Sequence, residues 1–244
     1  MSYVISMTSY PARFQSLLTV LENVMTWTRL PKRIYLNVST LDIDKLPSEI
    51  NSAKYSELLM VNPTLDLGPC TKLIPMLELE RDSPIVTIDD DASFKPNRIE
   101  QLLSEHALYP ESIIAGRTHL ITRNSGKQIN PYLQWDLEQN QIEGPSKELF
   151  PTGVGMVLYP QNSLHDDVKN KDLIQEHSRH NDDLWHYFQA RRVGTQIRQV
   201  PERAALNLIE GTQDFGLWNS GNQTRNDVIV KSLVNLYGDP LYFH

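Results

Sequence analysis

The segment Ile85-Val86-Thr87-Ile88 runs without a break into Asp89-Asp90-Asp91. An apolar, β-branched run suited to a doubly covered strand is followed at once by three carboxylates that repel one another. Such a cluster must be solvated, capped by donors or neutralised by a cation. The junction therefore constrains the fold: a buried strand must end at a polar surface here. Alternate residues of an extended chain point the same way, so Asp89 and Asp91 could face one ligand together. Hard oxygen donors suit Mg²⁺ or Mn²⁺, which take substrate phosphates as further ligands. An acidic turn leading into a helix that opens at Pro96 accounts for the same three residues.

Around this junction the chain alternates strand-like and helix-like stretches. Tyr3–Thr8, Arg33–Val38, Leu58–Val61, Ile85–Ile88 and Ser112–Gly116 read as short apolar strands. Ala12–Trp27 carries Phe14, Leu17, Leu18, Leu21, Val24 and Met25 near a 3.6 period, and 71–81 and 96–106 read as further helices. Repeated alternation with continuous apolar strands predicts an α/β fold around a mostly parallel sheet, with ligands beyond the carboxyl ends of the strands. Thr8-Ser9 and the aspartate triplet lie at two of those ends. The second half is less regular. Residues 124–147 form a polar excursion, 150–159 a glycine-containing turn running into a strand, 182–191 a helix, 196–200 a strand, and 225–237 a terminal helix closed by Gly238. No linker divides the chain, so one domain is expected over 1–244.

Net charge is −7, with a single cysteine, Cys70. The acidic balance argues against broad nucleic-acid binding, and the lone cysteine against a disulfide or a cysteine-based zinc site. No window reaches the length of a spanning helix and the start lacks a basic, apolar leader, so a cytoplasmic protein is expected.

Four short segments follow one another in a telling order: Thr8-Ser9-Tyr10-Pro11-Ala12-Arg13, Gly68-Pro69-Cys70-Thr71-Lys72, Asp89-Asp90-Asp91 and Asn181-Asp182-Asp183. The series resembles bacterial polysaccharide and lipopolysaccharide glycosyltransferases of the GT-A fold with a DXD motif. The resemblance implies a GT-A-like, Rossmann-type sheet with a nucleotide-sugar-binding part over 1–120 and an acceptor-side and C-terminal part over 121–244. It implies transfer, in the inverting manner, from a nucleotide-diphosphate sugar to a glycan or lipid-linked acceptor in surface polysaccharide synthesis. Peripheral attachment at the inner face of the cell membrane would go with such an acceptor.

By the same resemblance, Thr8, Ser9 and Arg13 would meet the nucleoside, and Tyr10 would stack on its base. Asp89 and Asp90 would serve the donor nucleotide, and Asp89 and Asp91 a divalent cation, joined by His244 or His186. Lys72, at a helix start with free backbone N–H groups, would meet the diphosphate, although Thr71 also reads as an N-cap. Asp183 or Asp182 would take the acceptor's proton, while the same Asn181-Asp182-Asp183 reads equally as a helix cap with two dipole-complementary acids. Gly153 and Gly155 would let backbone approach donor sugar and acceptor, with Trp185 or Trp135 as a stacking platform. Two rival readings share the fold: a sugar nucleotidyltransferase, which releases pyrophosphate, and a non-catalytic carbohydrate- or partner-binding module.

Overall fold

A computed structural model describes residues 2–202, 206–212 and 223–243. The apolar runs become strands β1 (Val4–Thr8), β2 (Arg33–Ser39), β3 (Leu59–Thr64) and β4 (Ile85–Thr87), followed by the short β5 (Ala92–Ser93), β6 (Ile113–Ala115) and β7 (Thr118–Leu120). The second half adds β8 (Leu149–Pro151), β9 (Val157–Tyr159), β10 (Ile197–Gln199) and β11 (Asn207–Leu208). Seven of these form one sheet in the order β10-β6-β9-β4-β1-β2-β3. Six run parallel; β9 is antiparallel to both its neighbours, β4 and β6.

From β1 the chain steps outward through β2 and β3, then returns to place β4 on the other side of β1. That reversal is the switch point at which open α/β sheets leave a crevice. It lies between Thr8 and Asp89. Because β9 runs the opposite way, its leading turn, Gly153–Gly155, arrives at this same edge.

Each face of the sheet is buried, as continuous apolar strands demand. On one face Ile5, Met7, Ile34 and Leu36 pack against α1 (Phe14–Val24) and α3 (Arg98–Leu108), through Leu17, Leu21, Ile99 and Leu102. The other face, with Val4, Ile85 and Val157, is covered by Trp185 and Phe188 of α5 (Asp182–Arg192) and Leu233 of α6 (Gln223–Tyr237). No helix of the described residues is long and apolar enough to cross a membrane.

Three local expectations are revised. The helix expected over 71–81 is a single tight turn, Cys70–Lys72, then a four-residue helix, α2 (Met76–Leu79). Pro75 separates them, since it offers no N–H and disfavours helical geometry in the residue before it. The helix expected from Pro96 begins at Arg98. A helix not read from the sequence, α4 (Lys171–His177), is capped by Asn170, whose side chain accepts from the Leu173 N–H. The excursion over 124–147 leaves and returns through the antiparallel pair β7–β8.

Candidate functional site

The polar segments picked out in the sequence converge on one cleft of about 830 Å³ at the switch point. Thr8, Lys72, Asp89, Asp91, Asp182 and Asp183 all line it. They come from the end of β1, the turn after β3, the end of β4 and the start of α5.

Lys72 stands at the centre. Its side chain is 6% exposed, and its Nζ lies 2.6 Å from Asp89 Oδ1 and 2.9 Å from Asp182 Oδ2. Burial alone would lower its pKa, but the carboxylates of Asp182 and Asp89 outweigh that and raise it well above the usual value. The backbone of Lys72 is fixed from beneath. The Ser6 hydroxyl donates to the Lys72 carbonyl, Asn37 Nδ2 donates to Ser6 Oγ at 2.9 Å, and Asn62 Nδ2 donates to Asn37 Oδ1 at 2.7 Å. Three neighbouring strands thus each spend one polar residue on this anchor. Ser6 and Asn37 are fully buried, where an unpaired polar group would be costly.

Asn181 caps α5, its side chain accepting from the Leu184 N–H at 2.8 Å, and is itself held by Asn226 of α6 at 2.8 Å. Capping is therefore done by Asn181, and Asp182 and Asp183 are left to the cleft. Asp183 accepts from the Gly153 N–H at 3.0 Å through each of its oxygens. Burial, and then the charge of Asp182, push its pKa up to about 8. Burial would raise Asp182 as well, but the Lys72 ammonium overrides it and holds Asp182 below the usual carboxylate range. Adjacent carboxyls in unlike surroundings are thus driven apart in basicity. Gly153 gives room to both side chains: a Cβ there would lie 2.8 Å from Lys72 Nζ and 2.9 Å from Asp183 Oδ1, so either would have to move.

The other carboxylates are held by Arg13. Its Nη1 lies 3.0 Å from Asp90 Oδ1 and also bonds Asp91 Oδ2. Burial pushes the Asp90 pKa up to about 6, against the pull of Ser9 and Arg13, and burial together with the charge of Asp89 raises Asp91. Four carboxylates of the cleft, Asp89, Asp90, Asp91 and Asp182, share two buried cations, Arg13 and Lys72.

A divalent cation suits this donor set. No group of three or more His, Cys, Asp or Glu is arranged around a common point among the described residues. Asp89 and Asp91 nevertheless each have one oxygen engaged by a basic residue and the other without a hydrogen bond among the described residues. Two hard protein oxygens, with phosphate and water completing the shell, is the usual way Mg²⁺ and related ions are held.

Most sequence-selected residues reach the cleft, and some do not. Thr8, Ser9 and Tyr10 line its end beside β1, Tyr10 being 44% exposed. Arg13 is buried and turned onto Asp90 and Asp91 rather than presented openly. Trp185 is corrected: it is fully buried, donates Nε1–H to the Val168 carbonyl at 2.9 Å, and offers no face to a sugar. Trp135 is likewise buried, stacked near Tyr132. Gly155 serves packing: a Cβ there would lie 2.5 Å from Arg117 Cβ. His186 is buried beneath the site, its pKa pushed down to about 4 chiefly by burial, and does not line the cleft. His244 lies outside the described residues.

The far end of the cleft was not read from the sequence. Arg117 donates to Thr152 Oγ1 at 3.1 Å and pairs with Glu138, forming a wall next to Gly153. Nothing in a lone arginine after β6 distinguishes it by pattern. The Ser6–Asn37 anchor did leave a signal, since both are polar residues inside strands that are otherwise apolar around them.

No protein-family model matches the sequence, and no curated protein sequence matches it. Solved structures do match. The mannosyltransferase PcManGT from Pyrobaculum calidifontis, in complex with GDP-Man and Mn²⁺, is similar at TM-score 0.60 and 12% identity over 97% of this chain and 64% of that one. The inositol-1-phosphate CTP transferase from T. maritima is similar at TM-score 0.50 and 14% identity over 96% of each chain. S. aureus TarS is similar at TM-score 0.52 and 13% identity, over 88% of this chain. The chain spans 64% of the mannosyltransferase and 38% of TarS. These likenesses establish the fold: the GT-A-like sheet expected from the sequence is the one found.

Proposed function

We propose that the chain is a metal-dependent glycosyltransferase that moves a sugar from a nucleotide diphosphate to a hydroxyl of a glycan or lipid-linked acceptor. The observation that carries this reading is the meeting of Asp89, Asp91, Lys72, Asp182 and Asp183 in one cleft at the switch point. The nucleoside would lie toward Thr8, Ser9 and Tyr10, and the diphosphate toward Lys72. Asp89 and Asp91 would hold Mn²⁺ or Mg²⁺, which supplies charge stabilisation for the departing nucleoside diphosphate.

Asp183 is the base in this reading. Its raised pKa suits proton uptake near neutral pH, and the Gly153 N–H holds its orientation. The acceptor would then lie against Thr152, Arg117 and Glu138, with its attacking hydroxyl beside Asp183. A carboxylate taking the acceptor's proton during direct displacement goes with inversion. We read 1–244 as one working unit, since the central sheet draws β1–β4 from the first part and β9 and β10 from the second. A role in bacterial surface polysaccharide synthesis, at the inner face of the membrane, follows from the sequence resemblance. The mannosyltransferase neighbour, bound to GDP-Man and Mn²⁺, supports donor and metal classes of this kind.

The test is release of nucleoside diphosphate from a panel of nucleotide-sugars with Mn²⁺ present. Release from one donor, abolished by EDTA and in Asp89→Ala, supports the reading; no release from any donor overturns it. A second reading is favoured by the match over 96% of both chains to the CTP transferase. A nucleotidyltransferase would release pyrophosphate from a nucleoside triphosphate and a sugar or polyol phosphate, which a second assay with those substrates distinguishes.

A further inference from the structure

Lys72 holds a place that a simple diphosphate ligand would not occupy. Its ammonium is buried between the Asp89 carboxylate, expected to bind a cation, and the Asp182–Asp183 pair, expected to hold the base. The Ser6–Asn37–Asn62 anchor immobilises its backbone, so only the flexible stem can change what Nζ touches. A bound cation and this ammonium would compete for Asp89: Nζ already takes Oδ1 at 2.6 Å, so a cation on the other oxygen would stand beside a second, buried positive charge.

We infer that Lys72 is a positioning latch: it closes Asp89 to a lone divalent cation and releases it when a diphosphate arrives to take the ammonium. Cation and nucleoside diphosphate are then taken up as one unit. With the cleft empty, Lys72 keeps the acidic centre neutralised. Arg13 provides the matching arrangement on Asp91, the other expected cation ligand. The inference rests on the proposed donor reading, and adds an order of assembly that the fold does not dictate.

The experiment titrates Mn²⁺ alone, and Mn²⁺ with UDP, GDP or CDP, followed by Mn²⁺ electron paramagnetic resonance and calorimetry. The wild-type chain is expected to bind Mn²⁺ weakly alone and much more tightly with one nucleotide. Lys72→Met is expected to bind Mn²⁺ alone roughly tenfold or more tightly than wild type, and to lose most of the gain on adding nucleotide. Lys72→Arg keeps a cation in place and is expected to stay near wild type. Arg179→Met removes a cleft-lining cation that makes no ion pair with Asp89, and is expected to change Mn²⁺ affinity less than about twofold. Lys72→Met together with Asp182→Asn balances the buried charge, and carries the same expectation should the single variant fold poorly. Unchanged or weaker Mn²⁺ binding in both Lys72→Met chains overturns the latch, as does equal tightening in Arg179→Met. If wild type binds no nucleotide with Mn²⁺, the donor reading itself falls.

Discussion

The Gly153 amide donates to both carboxylate oxygens of Asp183, 3.0 Å from each. A loop N–H thereby fixes a carboxyl whose pKa burial and Asp182 push up to about 8. As a base, Asp183 acts only when ionised, so kcat/KM should rise with pH, pass half its limit near pH 8 and level off above that. Asp183→Asn should lower transfer by about 10²–10⁴-fold with donor affinity nearly unchanged. Asp182→Asn removes a charge that raises Asp183 and should move the limb to lower pH. A limb that stays in place in both variants removes Asp183 from the base role.

Gly153→Ala tests the same contact from the other side. The added methyl meets the ends of two side chains, Lys72 Nζ at 2.8 Å and Asp183 Oδ1 at 2.9 Å, and no backbone. Side-chain ends can yield, so Tm should change by only a few degrees. The displaced carboxylate and ammonium should lower kcat by roughly tenfold or more. A large loss of Tm with kcat intact would show that the glycine serves packing instead.

Acid stability follows from two buried histidines. His119 accepts the Glu138 N–H on Nδ1 at 2.9 Å, and His186 lies beneath Asp182; burial pushes both pKa values down to about 4. Above pH 6.5 neither folded nor unfolded chains protonate them, and nothing is gained or lost. Below 6.5 the unfolded chain takes up protons that the folded one refuses, so stability falls between pH 6.5 and 4. The loss is up to about 3 kcal/mol per histidine. Asp183 and Asp90, raised to about 8 and about 6, bind protons in the folded chain over the same range and oppose this loss, so the test is comparative. From pH 7 to 4.5 the urea midpoints of His186→Gln and His119→Gln should each rise relative to wild type.

The sheet was legible because its strands are continuous apolar runs, and the cleft because Thr8, Lys72, Asp89 and Asp183 each follow a strand or open a helix. Both are local patterns. Trp185 was misread because an indole's chemistry is visible in sequence whereas the helix face it occupies is not; α5 is buried nearly all round, so no amphipathic stripe marks its inner side. Arg117 and Glu138 meet only through the return of the excursion, 21 residues apart, which no periodicity encodes. Pro75 shortened a helix that apolar spacing alone would have continued.

Arg13 offers a stability test independent of any substrate. It is buried and bridges Asp90 and Asp91, so Arg13→Met strands two carboxylates in a poorly solvated setting. At pH 8 the loss should be roughly 3 kcal/mol, on the order of 10 °C in Tm. Asp90 titrates at about 6 even with Arg13 present, and without it should protonate more readily still. The deficit of the variant should therefore shrink as the pH falls to 5, because a neutral Asp90 no longer needs the guanidinium. Arg13→Lys restores a charge but not a fork able to reach both acids, and should fall between the two. Equal deficits at pH 8 and pH 5, read by calorimetry, would mean that the arginine contributes packing of its stem rather than charge.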